Sequence, residues 1–276
     1  MAGVLKREKS EKDAGAGGPK KRTHPEKPQD DIKKPMFLGG WDGAVPVADL
    51  KETEGAAEPT GEAPKKNTGT LKTSKGTIEL ENYCPTDKLE KLTVDDGICM
   101  FSRNNPGRQK KALVNVSKAE GGNVITGIKD GSLVSYIGIH PPSERERWGK
   151  PDYPWLFELG AIEVSRGYRR IGLAEAMLEI AFDDPFYEDK VVLTTGFTWH
   201  WDLEDTGLDK MQYRMIGIEL FGQYGFMEMA TDEPNVTMDS ANLFLVRLGK
   251  NVPFSRYQKF ASLLFANEWE AMLRGF

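Results

Sequence analysis

The sequence predicts a mixed α/β domain, and three observations carry that prediction. Strand-like segments come first in the apolar part of the chain, and strands then alternate with helices to the end. Between them, residues 157–182 read as a strand, a basic glycine-containing turn and an amphipathic helix. The 276 residues are 39% apolar and 10% aromatic, enough to build a sizeable core. Net charge is −5, from 37 basic and 42 acidic residues, which argues against a general nucleic-acid binder. No apolar run approaches the roughly 18 residues that a membrane span needs. The lysine-rich first twenty residues lack an apolar signal core, so a cytoplasmic protein without a membrane partner is expected. Two cysteines (Cys84, Cys99) and three histidines (His24, His140, His200) are too few and too scattered for a disulfide framework or a zinc site, and no metal is expected.

Composition divides the chain. Residues 1–70 are crowded with Gly, Pro and charge, with Pro19, Pro25, Pro28, Pro59 and Pro64 interrupting any regular element. Large apolar residues are scarce there, so burial cannot offset the entropy of ordering, and a disordered tail is expected. Its exception is an apolar island, Met36-Phe37-Leu38 with Trp41 and Val45-Pro46-Val47, either a loose patch or a short docking segment; a basic Lys20-Lys21-Arg22 cluster precedes it.

Residues 71–276 are expected to form the domain. Thr77–Leu80 reads as a short strand, and Tyr83–Asp87 as a turn opening a helix near Lys88–Leu92. Ala112–Val116 and Val124–Ile128 look strand-like from their β-branched content. Asp130-Gly131 is a hairpin turn signal before a return strand at Leu133–Ile139, which His140-Pro141-Pro142 stops. A polar loop runs to Trp155, and a strand follows to Val164. The helix after it is expected to turn Ile171, Ala174, Leu178, Ala181 and Phe182 inward and to end at Asp183-Asp184-Pro185. Val191–Phe197 reads as the next strand.

The turn from Arg166 to Gly172 has the makings of an anion cradle. The first amides of a helix lack intrahelical acceptors, and the helix dipole adds partial positive charge at that end. Gly172 lets backbone approach a ligand closely, Ala174 is small, and Arg169 and Arg170 add charge, so a pyrophosphate is a natural guest. The dinucleotide pattern G-x-G-x-x-G is missing.

Arg169-x-x-Gly172-x-Ala174, after a strand ending Ile162-x-Val164, resembles the acyl-CoA signature R/Q-x-x-G-x-G/A of the GNAT superfamily of N-acetyltransferases. Glu146-Arg147-Trp148, Glu158–Val164, Trp199–Leu203, Ala230–Pro234 and Gly249–Val252 further resemble the bacterial acetoin-utilisation acetyltransferases, over about Leu71 to Leu264. The resemblance implies a GNAT fold: a central, mostly antiparallel sheet with flanking helices, whose fourth and fifth strands splay to admit the pantetheine arm. It implies acetyl-CoA as cosubstrate, held by the backbone at Ile162 and Val164 and by the loop Arg169, Arg170, Ile171, Gly172, Leu173 and Ala174. It also implies a protein acceptor, a lysine of acetyl-CoA synthetase, which acetylation inactivates. A small-molecule amine acetyltransferase, or an acyl-CoA-binding partner that inhibits the synthetase by complex formation, are the alternatives.

Acetyl transfer needs a neutral amine, yet a lysine is neutral only about one time in 10³ at pH 7. A nearby carboxylate can take its proton, and Glu158 and Glu163 are the candidates. In a regular strand, residues five apart point to opposite faces, so one alone would face the thioester unless a bulge intervenes. Trp199, His200 and Trp201 are expected at the acceptor's entry, or as an aromatic corner closing the core. The resemblance further implies a tyrosine acid where this chain has Phe221, which cannot donate a proton; Tyr213 and Tyr224 are nearby alternatives.

Overall fold

The computed structural model describes residues 61–101 and 105–266. The apolar island at 36–47, the basic cluster and the rest of residues 1–60 lie outside that set. Among the described residues nine strands form one sheet: β1 (Thr68–Thr73), β2 (Gly76–Glu81), β3 (Thr93–Val94), β4 (Asn123–Lys129), β5 (Ser132–His140), β6 (Leu156–Val164), β7 (Val191–Gly196), β8 (Phe226–Glu228) and β9 (Leu243–Leu248). They lie in the order β1-β2-β4-β5-β6-β7-β9-β8, with β3 beside β5. Every pairing is antiparallel except β3 with β5 and β6 with β7. This is the mostly antiparallel mixed sheet that the resemblance implies.

The helices are α1 (Thr86–Lys91), α2 (Pro106–Lys118), α3 (Leu173–Phe182), α4 (Leu203–Thr206), α5 (Lys210–Gly222), α6 (Pro234–Thr237) and α7 (Phe254–Ala261). On one face of the sheet, Leu173, Met177, Leu178 and Ala181 of α3 bury against Ile125, Ile137, Leu159 and Val192. Leu89 of α1 and Leu113 and Val114 of α2 cover Val124, Leu133 and Tyr136. A third cluster joins Trp148, Trp155, Leu156, Leu193 and Phe244 to Phe260 of α7. Burying each Leu, Ile, Val, Met or Phe side chain among these stabilises by roughly 1.5–3 kcal/mol. No helix among the described residues is long and apolar enough to cross a membrane.

Local chemistry explains most elements. Asp130 (φ 49°) and Gly131 (φ 78°) form the expected two-residue turn between β4 and β5. Asp209 caps α5 by accepting from the Gln212 amide, and the Gln212 side chain reciprocates. Three expectations need correcting. Ala112–Val116 is helical, not a strand: Asn105 accepts from the Arg108 amide, Pro106 opens α2, and packing of Leu113 and Val114 overrides β-branched propensity. The helix after the basic turn starts at Leu173, and its buried face is Leu173, Met177, Leu178 and Ala181, so Ala174 is only half-buried. The sheet starts at Thr68, inside the stretch read as tail, because β1 gains its order by pairing with β2.

Candidate active site

The site begins where two strands part. β6 and β7 pair at Leu156 with Val191, Phe157 with Val192 and Glu158 with Leu193, and nowhere further among the described residues. Both strands continue, β6 to Val164 and β7 to Gly196. Thr194 pins the fork, its hydroxyl donating to the Leu159 carbonyl at 2.8 Å. Past that point the β6 edge through Ile162 is not paired with β7, and an unpaired strand edge is where an extended, amide-bearing ligand can add as a strand. Ile162 and Val164 turn half-buried side chains onto the α3 cluster.

A bulge decides where the glutamates point. Gly138 pairs with Ala161 and Ile139 with Leu159, so Gly160 is an extra residue on β6. Leu159 packs in the α3 cluster before the bulge and Ile162 and Val164 pack there after it. Glu158 and Glu163 therefore share the opposite face, which the regular period would have forbidden. Their surroundings differ. Glu163 is buried and saturated: it accepts from the Cys99 and Met100 amides at 2.7 and 2.8 Å and from the Tyr136 hydroxyl at 2.7 Å. Burial first, and then the Glu163 carboxylate beside it, keep the phenol of Tyr136 protonated well above its usual range. Glu158 is also buried, but its carboxyl neighbour is Glu146. Desolvation first, and then that like-charged hydrogen-bonding partner, push Glu158 up to about 8.

The turn beyond β6 is open in front. Gly172 (φ 77°) precedes α3, no side chain caps the first helical amides, and a Cβ on Gly172 would meet nothing within 4 Å. Arg170 is exposed and also left-handed, with φ 62°. Ile171 and Leu173 anchor the turn in the core beneath. Arg169 is engaged: its Nη1 donates to Asp202 at 2.8 Å and Asp205 at 2.9 Å, and its Nε to the Val164 carbonyl at 3.2 Å. Arg166 grips Asp202 with two bonds of 2.8 and 2.9 Å. The two guanidinium groups, Arg166 first, hold the Asp202 carboxyl below the usual carboxylate range. Asp202 thus ties the basic turn to the end of the Trp199–Trp201 segment. Asp202→Asn is expected to lower stability by about 2 kcal/mol in a thermal melt at neutral pH. Because its folded pKa is depressed, the wild-type advantage should vanish as pH falls through that value.

The aromatic segment divides by depth. Trp199 is 44% exposed and stacks on Phe197 at 4.5 Å. His200 lies 4.9 Å from the Phe101 ring. Trp201 is core, buried and stacked on Tyr213 at 5.0 Å. Beyond the end of β7, Trp199 is exposed and His200 half-buried. Phe221 is buried against Phe226, and the Tyr224 hydroxyl donates to the Glu175 carbonyl at 2.7 Å. Among the described residues no group of three His, Cys, Asp or Glu can hold a metal ion.

Sequence reasoning did not assign Glu146, Asp202 or the Cys99-Met100 amides to the site. The first two lie within segments that carry the family resemblance, which was the available signal; the amides carry none, since any residue has one.

No protein-family model matches the chain. The chain is 30% identical over 199 residues to the acetoin utilization protein AcuA of Bacillus licheniformis, covering 72% of this chain and 94% of that one. It matches the same protein of Bacillus subtilis with the same identity and coverage. The crystal structure of an acetoin utilization protein from Exiguobacterium sibiricum superposes with a TM-score of 0.71 at 31% identity, covering 74% of this chain and 96% of that one.

Proposed function

The chain belongs to the family of the acetoin utilization protein AcuA, and from that premise we propose that it is a GNAT-type N-acetyltransferase carrying acetyl from acetyl-CoA to a protein lysine. The acceptor in this reading is acetyl-CoA synthetase, whose modification switches it off. The parting of β6 and β7 just past Glu158 is the observation that carries the reading. An extended thioester arm can add along that unpaired edge, and the uncapped amides before α3 suit its diphosphate. Exposed Arg170 supplies charge there, while Arg169 shapes the turn through Asp202 and Asp205.

Glu158 serves as the base. It lies at the fork, and its raised pKa matches proton transfer near neutral pH. Glu163, with its three donors, braces the 95–100 loop over the same face. Backbone N–H groups on the unpaired β6 edge are suited to meet the developing oxyanion. Trp199, exposed at the end of β7, offers a flat apolar surface for the acceptor's lysine stem.

The test is mass analysis of acetyl-CoA synthetase after incubation with this protein and acetyl-CoA. A single added acetyl group with loss of synthetase activity is expected. Turnover on free amines with none on protein would favour a small-molecule acetyltransferase. Inhibition without any mass change would favour occlusion in a complex.

A further inference from the structure

Acetyl transfer has two proton problems beyond making the amine neutral. The nitrogen sheds a second proton once it has attacked, and the departing sulfur needs one. A single group facing both atoms can serve both needs, provided that it accepts and then donates. Of the tyrosines, the Tyr136 hydroxyl is committed to Glu163 and that of Tyr224 to the Glu175 carbonyl.

His140 has the chemistry for that exchange and stands beside the fork. It ends β5 and pairs with Glu158 across the ladder, so both side chains rise from the same face beside the fork. Its Nδ1 lies 2.8 Å from the Pro141 carbonyl, which can only accept. Nδ1 therefore carries the hydrogen, and Nε2 of the neutral ring keeps its lone pair. The ring lies across the Gly160 bulge, and a Cβ there would stand 2.7 Å from Nε2. Gly160 thus does two things: it reverses the side-chain parity of β6, and it clears the space into which the imidazole reaches.

We propose that His140 is the proton shuttle of the transfer, a role that rests on the acetyltransferase reading above. Glu158 takes the first proton from the lysine ammonium. The neutral amine forms its bond to the acyl carbon, and His140 Nε2 takes the second proton from that nitrogen. The carbon–sulfur bond then breaks, and the imidazolium returns its proton to the thiolate, leaving amide and free thiol.

The experiment uses the full chain, acetyl-CoA and purified acetyl-CoA synthetase, with free thiol and acetylated synthetase both measured. For His140→Ala we expect kcat to fall about 100-fold, with the Kd of acetyl-CoA and the KM of the synthetase within about twofold of wild type. Added imidazole should restore the His140→Ala rate by at least about tenfold and leave wild type unchanged, which loss of a merely structural ring would not produce. Gly160→Ala, which keeps the histidine but displaces it, should lower kcat about tenfold without imidazole rescue. An active wild type with a His140→Ala kcat near normal, or a lost rate that imidazole does not restore, overturns the shuttle alone. A wild type that binds acetyl-CoA but releases no thiol overturns the acetyltransferase reading itself, and the shuttle with it.

Discussion

Glu158→Gln is expected to lower kcat/KM for acetyl transfer by about 10²–10⁴-fold while acetyl-CoA binds as before, because the amide keeps the shape and loses the base. Wild-type activity should fall as pH drops below about 8, where the buried carboxyl takes up its proton, and the variant's residual rate should lack that limb. The same group links stability to pH with a definite sign. Its folded pKa is raised, so its contribution is intact below the ordinary glutamate range and is lost as pH rises through about 8. Wild-type Tm should therefore decline between pH 5 and 9 relative to the variant. Glu158→Gln should be the more stable protein at pH 9, by roughly a few kcal/mol. Calorimetry across that range, beside a pH–rate profile, checks both. Equal Tm differences at pH 5 and pH 9 would show that the carboxyl is not held neutral by burial and Glu146.

Glu163→Ala should act on a different quantity, the integrity of the fold around the site. Truncation leaves the Tyr136 hydroxyl buried without its acceptor and frees the Cys99 and Met100 amides that fasten the 95–100 loop. With three charge-assisted bonds lost at once in a buried place, about 3–5 kcal/mol of destabilisation is expected in a denaturant titration. Glu163→Gln can keep its oxygen on the Cys99 and Met100 amides and should cost about half as much, its amide nitrogen standing opposite the Tyr136 hydroxyl where an acceptor was. If Glu163 were the base instead, its Gln variant and not Glu158→Gln would lose acetyl transfer beyond what its lower stability explains. Comparing Glu158→Gln and Glu163→Gln thus separates the roles of two carboxylates that the chain presents five positions apart.

Much of this site was readable in one dimension because its signals are local. The basic turn and Gly172 announce themselves within a few residues, since a left-handed position before a helix is a property of that residue's own backbone. The strands from Asn123 to His140 were likewise legible, as apolar β-branched runs joined by Asp130-Gly131. Ala112–Val116 misled because a short β-branched run carries no record of the helix cap at Asn105 or of the apolar surface awaiting Leu113. Arg169 is more instructive still. Its motif is local, but its commitment to Asp202 and Asp205 depends on a segment more than thirty residues away coming to lie beside it.

Composition, periodicity and motif thus pointed to the class of fold and the position of the basic turn, because each of these depends on near neighbours in the chain. The burial of Glu158 beside Glu146, the saturation of Glu163, the reach of His140 over Gly160 and the neutralising of Arg169 were settled by packing. A charge's pKa, or the face to which a side chain turns, is set by whatever stands within a few ångströms, and in a folded sheet those neighbours come from distant stretches of sequence.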